Sequence, residues 1–112
     1  MQTRKLGYSD LHLTTIGLGT WAIGGGNWAF GWGPQDDADS IAAIQRALDL
    51  GVNWIDTAAV YGLGHSEEIV GQAVAGRRDG TIIATKGGRL PRNGGPDIYG
   101  SLKADAVRQE VE

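Results

Sequence analysis

The chain has no cysteine, which excludes a disulfide framework and any thiolate metal site. Nor does it carry a surplus of positive charge. Ten Lys and Arg stand against 13 Asp and Glu, a formal net charge of −3, so it offers no basic field for gripping phosphate backbones and nucleic acid is not an expected partner. The residues from Met1 to Lys5 lack the apolar core of a secretory signal, and the expected location is cytoplasmic. One stretch, Leu13 to Gln35, is free of charge and long enough to raise the question of a membrane helix. It holds seven glycines, among them Gly24, Gly25 and Gly26, and is expected as a loop rather than a span. What remains is an ordinary globular balance, 41% hydrophobic and 21% charged over 112 residues, enough for one modest domain occupying 1–112.

In chain order, Arg4 to Leu6 and Leu11 to Leu13 flank the turn formers Gly7-Tyr8-Ser9-Asp10, which predicts a hairpin. Thr15 to Leu18 is β-branched and apolar and stops at Gly19-Thr20, as a buried strand entering a loop would. The loop from Trp21 to Gly33 mixes Trp21, Trp28, Phe30 and Trp32 with glycine. Those aromatics either wall a pocket or plug one end of the core, and the sequence does not choose. Pro34 with Asp36, Asp37 and Asp39 suits a helix start. Ile41, Ile44, Ala47 and Leu48 then recur at helical spacing and Gly51 sits at a cap position, so the spacing predicts a helix over Asp36 to Leu50. A strand from Val52 to Asp56, a loop through Tyr61 and a helix capped by Ser66 follow, with Glu67 and Glu68 in its first turn. Thr81 to Thr85 is a third strand ending at Lys86. A glycine- and proline-rich loop, Gly87 to Gly100, precedes a last helix in which Ala104, Val107 and Val111 share a face.

Strand and helix alternate three times, which calls for a parallel sheet. Two α/β folds fit, an open doubly wound sheet or the opening units of a (β/α)8 barrel. The last helical pattern runs to Glu112 with no cap, turn or following strand, and a whole barrel takes about 250 residues. The expectation is therefore the N-terminal part of a (β/α)8 barrel, preceded by a β-hairpin and cut off inside its third helix.

Strand alternation then brings chemistry together. Trp54 and Asp56 share one face, as do Ile82, Ala84 and Lys86. With those faces turned into a barrel, Asp56 and Lys86 meet at neighbouring strand ends, the rim where barrel enzymes keep their active sites. Tyr61, on the loop after Asp56, is the natural third member. A cation beside a phenol favours its ionised form, which suits the phenol to act as a general acid near neutral pH. Each residue alone is more often structural: Asp56 a loop cap, Tyr61 a half-buried aromatic, Lys86 a solvated charge. Their joint occurrence at two strand tips one β-α-β step apart favours catalysis. Gly17-Leu18-Gly19-Thr20-Trp21-Ala22 also satisfies a dinucleotide fingerprint, but more glycines follow where that fingerprint needs a helix, so a phosphate site is not expected there.

The segment GVNWIDTAAVYGLGHSEEIVG resembles the signature of the aldo-keto reductase superfamily in spacing as well as composition. GLGTWAIGGG resembles that family's first strand and cofactor-side loop, ATKGG its lysine strand, and RKLGYSDLHLTTIGLGT the hairpin closing the barrel floor, so the resemblance covers essentially the whole chain. It implies an NADPH-dependent reduction of small aldehydes or ketones to alcohols, with NADH as the alternative cofactor and no metal. Tyr61 would give the proton, Lys86 would favour its ionisation, and Asp56 would hold Lys86 by an ion pair. Gly19, Thr20, Trp21 and Asp56 would line the nicotinamide ribose and the substrate mouth. The family's catalytic histidine belongs to a fourth strand, past Glu112. His65 does not replace it by alignment and is expected as a solvated loop residue, and His12 as an ordinary strand residue. A rival reading makes the piece a barrel fragment with a structural or assembly role. Its unpaired sheet edges invite self-association, and the segment alone is expected to be inactive.

Overall fold

Two three-residue strands open the chain. β1 (Thr3–Lys5) and β2 (His12–Thr14) pair antiparallel, with Arg4 opposite Leu13. Gly7 takes φ +54° in the turn, and Ser9 Oγ donates to the Leu6 carbonyl. In this computed structural model, which describes residues 1–111, Asn53 fastens that hairpin to the parallel sheet. Its Nδ2 donates to the His12 carbonyl at 2.8 Å, and its Oδ1 accepts from Thr14 N at 2.9 Å. Trp54 Nε1 adds a bond to the Thr14 carbonyl at 2.9 Å.

The parallel sheet runs in the order β3 (Leu18–Gly19), β4 (Trp54–Asp56), β5 (Ile82–Ala84). Leu18 lies opposite Ile55, and Ile55 opposite Ile83. α1 (Asp37–Asp49) and α2 (His65–Ala73) pack together, and Ile44, Ile55, Ile69, Val70, Ala73 and Val74 form the core, with Leu18, Ile41, Leu48 and Ile83 against it. Ile55 and Ile83 thus serve the helices. Because side chains alternate, Trp54, Asp56, Ile82 and Ala84 take the other face of the sheet.

The three expected strands are present but shorter. The first is also displaced, since pairing begins only at Leu18. The indole of Trp54 fills the space beside Gly17, where a Cβ would lie 2.1 Å from Cε2, and the chain bends there, with Thr14 Oγ1 donating to the Ile16 carbonyl. α1 follows the sequence closely: Asp36 Oδ1 accepts from Asp39 N at 2.9 Å as the N-cap, and Gly51 lies just past the end at φ +91°.

Two expectations need correction. α2 has Gly64, not Ser66, at its N-cap, with φ +102° and no side-chain cap bond, because Ser66 is turned into the interior. Within the loop expected from Gly87 to Gly100, β6 (Arg89–Pro91) and β7 (Ile98–Gly100) pair antiparallel, Arg89 opposite Gly100 and Pro91 opposite Ile98. Proline and glycine inside such short strands erase the usual strand signal. The hairpin instead rests on a buried Leu90, a turn through Asn93 and Gly94, both at positive φ, and a Gly88 N–H donated to Glu110 of α3 (Ala104–Val111). Among the described residues no helix is long and apolar enough to cross a membrane.

Candidate active site

β3, β4 and β5 end level with one another, Gly19 beside Asp56 and Asp56 beside Ala84. Two residues past Ala84, Lys86 has the alternation that returns its side chain to the Asp56 face. Its Nζ donates to Asp56 Oδ1 and Oδ2 at 2.9 and 2.8 Å, to the Thr57 carbonyl at 2.9 Å and to Tyr61 Oη at 3.0 Å. Burial pulls the Lys86 ammonium toward neutrality, but the bonds to Asp56 and Tyr61 and the Asp56 charge outweigh it, and its pKa is held above the ordinary lysine value. A group raised in this way adds stability that is complete below its unfolded value and is lost only as pH climbs through the higher folded one. Lys86 is therefore a fixed cation at neutral pH.

An ammonium carries three donors and no acceptor. With one donor shared by the two carboxylate oxygens, the other two go to Thr57 and Tyr61, and Tyr61 Oη is the acceptor in its bond. The phenolic hydrogen is left to point elsewhere. The ring itself is only 8% exposed, stacked on Trp21 with centroids 5.6 Å apart and tilted against Trp28 at 5.9 Å.

The aromatic loop divides between the two roles the sequence left open. Trp28 is buried with Ala58 and Tyr61 in a small core of its own. Trp21, 42% exposed, and Phe30 wall a cleft of about 310 Å³ together with Trp28, Val60 and Tyr61, and Arg89 and Ile98 of the β6–β7 hairpin close its far side. Trp32, at 76%, faces solvent. The loop can lie on the Tyr61 segment because two glycines meet there. A Cβ on Gly24 would sit 2.6 Å from Gly62 N, and one on Gly62, whose φ is +64°, would sit 2.2 Å from the Gly24 carbonyl oxygen.

Under the triad runs a buried chain of hydroxyls that the sequence did not disclose. Thr57 Oγ1 lies 3.2 Å from Ser66 Oγ. Ser66 donates toward Thr20, whose carbonyl and hydroxyl oxygens are 3.0 and 2.8 Å away, and Thr20 Oγ1 donates to the Asp56 carbonyl at 3.1 Å. This ties the tip of β4, the start of α2 and the exit of β3 into one unit. Of the residues expected on the cofactor side, Gly19 has open space where a Cβ would be and Trp21 is half exposed, whereas Thr20 is fully buried and spends its hydroxyl in this chain. Gly19 and Trp21 thus stand at an open rim beside Asp56, and Thr20, bonded through N and Oγ1 to the Asp56 carbonyl, sets the backbone between them. Ser66→Ala leaves the buried Thr57 hydroxyl without its partner and Thr20 without the donor it accepts from, and an expected loss of about 1–3 kcal/mol is readable as a lower urea midpoint at constant slope; an unmoved midpoint would show the chain to be idle.

His65 stands apart from the triad. Its Nε2 pairs with Asp37 Oδ1 at 2.8 Å, tying the starts of α1 and α2 together near the surface. His12 sits in β2 opposite Lys5. No cluster of metal-ligating side chains occurs among the described residues.

Comparisons with known proteins point to one family. The model of the aldo/keto reductase family matches residues 15–112. Aldo-keto reductase YhdN of Bacillus subtilis is 48% identical over 88 residues, 77% of this chain and 25% of that protein. The NADH-specific methylglyoxal reductase of Escherichia coli is 38% identical over 120 positions, 99% of this chain and 36% of that protein. Among solved structures, the holo form of aldo-keto reductase AKR11C1 from Bacillus halodurans superposes with a TM-score of 0.84 at 32% identity, covering 99% of this chain and 34% of that one. The chain thus spans about a third or less of the length of the relatives it matches. A match that runs through all three strand–helix units, over a sheet whose strand ends carry the acid, the phenol and the lysine, admits one assignment: this chain belongs to the aldo/keto reductase family.

Proposed function

We propose that the site serves the reduction of a small aldehyde or ketone to an alcohol, in the whole protein to which this segment belongs. The observation that carries the reading is the bond from Lys86 Nζ to Tyr61 Oη at 3.0 Å, made by an ammonium already held on both oxygens of Asp56. Tyr61 donates its free hydrogen to the carbonyl oxygen, and Lys86 steadies the negative charge left on the phenolic oxygen. Asp56 keeps the ammonium in place, while Trp21, Trp28 and Phe30 give an apolar wall that keeps water from the reacting oxygen. A reduced nicotinamide, when bound, supplies the hydride to the carbonyl carbon. Gly19, Trp21 and Asp56 would hold its ribose side, with Thr20 behind them. NADPH is the dinucleotide that the resemblance implies, and the NADH-specific relative makes NADH the necessary second arm of any test.

A second reading, a fragment with a structural role and no turnover of its own, is favoured by one observation. β3 and β5 are the outer strands of the parallel sheet, each with an unpaired edge among the described residues. One experiment addresses both readings, namely carbonyl-dependent oxidation of NADPH and of NADH by the whole protein and by the 112-residue segment. The expected result is turnover by the whole protein and little or none by the segment. Robust turnover by the segment overturns the second reading. A whole protein inert toward aliphatic and aromatic aldehydes with both dinucleotides overturns the first.

A further inference from the structure

The cleft above Tyr61 has apolar and aromatic walls with one formal charge among the residues that line it, Arg89. The hairpin sets the position of its backbone. Arg89 lies in β6 directly opposite Gly100 of β7, and with no side chain on Gly100 the guanidinium lies over the partner strand, Nη1 3.6 Å from where a Cβ would be. The hairpin in turn is docked on the aromatic loop, since Ala29 N donates to the Pro96 carbonyl at 3.2 Å. Arg89, an exposed residue of β6, thus lines the same cleft as Tyr61, with its guanidinium end carried beside Gly100.

Its neighbouring cations are engaged and it is not. Lys86 is held by Asp56, and the Arg92 guanidinium lies 5.5 Å from the centre of the Tyr99 ring. Among the described residues Arg89 has no carboxylate partner and no side-chain hydrogen bond. A guanidinium stays charged at any physiological pH and presents paired N–H groups that match a carboxylate or phosphate edge. From these placements we infer that Arg89 selects carbonyl substrates that carry an anionic oxygen group at the end remote from the carbonyl. This inference rests on the reductase reading and names its substrate class. The carbonyl is held at Tyr61, the body of the substrate lies against Trp21 and Phe30, and the anion meets Arg89. A flat aromatic or short aliphatic spacer suits a cleft of about 310 Å³.

The test compares, in the whole protein, kcat/KM for 4-carboxybenzaldehyde, for 4-formylphenyl phosphate and for the uncharged methyl ester of the first. A charge-assisted pair corresponds to a preference for the anion of about 10- to 100-fold, shrinking as salt is added. Arg89→Gln is expected to bring the anion-to-ester ratio close to one, and Arg89→Lys to keep part of it. Preference for the carboxylate alone or for both anions supports the inference and identifies which oxyanion is taken. A wild-type ratio near one, or a ratio that Arg89→Gln leaves in place, overturns it. Failure of the reductase reading is distinguishable, because then none of the three aldehydes is reduced. Benzoate binding, followed through the tryptophan fluorescence of the cleft, still decides the matter: saturable quenching lost in Arg89→Gln supports the anion site, and equal quenching in both proteins overturns it.

Discussion

On the proposed reductase reading, replacing Tyr61 with phenylalanine in the whole protein is expected to lower kcat for carbonyl reduction by about 100- to 10,000-fold, the range for removal of a positioned proton donor, with dinucleotide affinity nearly unchanged. The substitution is mild for the fold. The phenyl ring keeps its contacts with Trp21 and Trp28, and Lys86 keeps both oxygens of Asp56 and the Thr57 carbonyl. Only the hydroxyl is lost, and with it the one acidic hydrogen that the bonding pattern of Lys86 leaves free. Steady-state rates with one aldehyde, set beside calorimetric titration of the dinucleotide, separate the two quantities. A rate close to that of the unsubstituted protein would remove Tyr61 from the role of acid.

In the whole protein, on the same reading, Lys86→Met should cost about 100- to 1,000-fold in kcat, the scale for deleting one charge-stabilising donor. Methionine roughly matches the length of the lysine stem, so the loss is chiefly electrostatic: the phenolic oxygen no longer has an ammonium to share its charge. Asp56 and Lys86 are both partly open to water, and the stability change should be small because solvent covers the freed carboxylate. The hydroxyl chain from Thr57 through Ser66 to Thr20 does not pass through Lys86 and should persist. The pH dependence supplies an independent check. Since the Lys86 pKa is raised, loss of its charge does not account for a fall in activity that sets in below about pH 10.4, the ordinary lysine value; a fall well below that pH, present in the wild type and absent in the Met variant, would contradict a raised Lys86 pKa. A loss of less than about tenfold, against the expected range, would mean that Tyr61 works without its cation.

Legibility differed from element to element for physical reasons. α1 was readable almost residue by residue because its signals are local: an Asp36 cap, acids in the first turn, apolar spacing of three and four, and Gly51 past the end. The shared face of Asp56 and Lys86 was readable too, since it needs only strand alternation and a parallel neighbour. Ser66 was misread because a serine ahead of two glutamates looks like a cap until Thr20, 46 residues away, is seen to take its hydroxyl. The β6–β7 hairpin escaped because its strands hold Pro91 and Gly100, and their pairing depends on contacts with Leu90 and α3 rather than on β-propensity.

By itself, then, the amino-acid order determined the alternation of strand and helix, the acid, phenol and lysine at the strand ends, and the family signature, because each of these rests on short-range periodicity or on spacing. The tertiary structure alone decided which hydroxyls bury together, how Gly24 and Gly62 let two loops touch, and that Arg89 and Tyr61 line one aromatic cleft. Those are meetings between segments far apart in the chain, and no local pattern records them, since the cost of an unpaired hydroxyl or a misplaced Cβ arises only when the segments are packed.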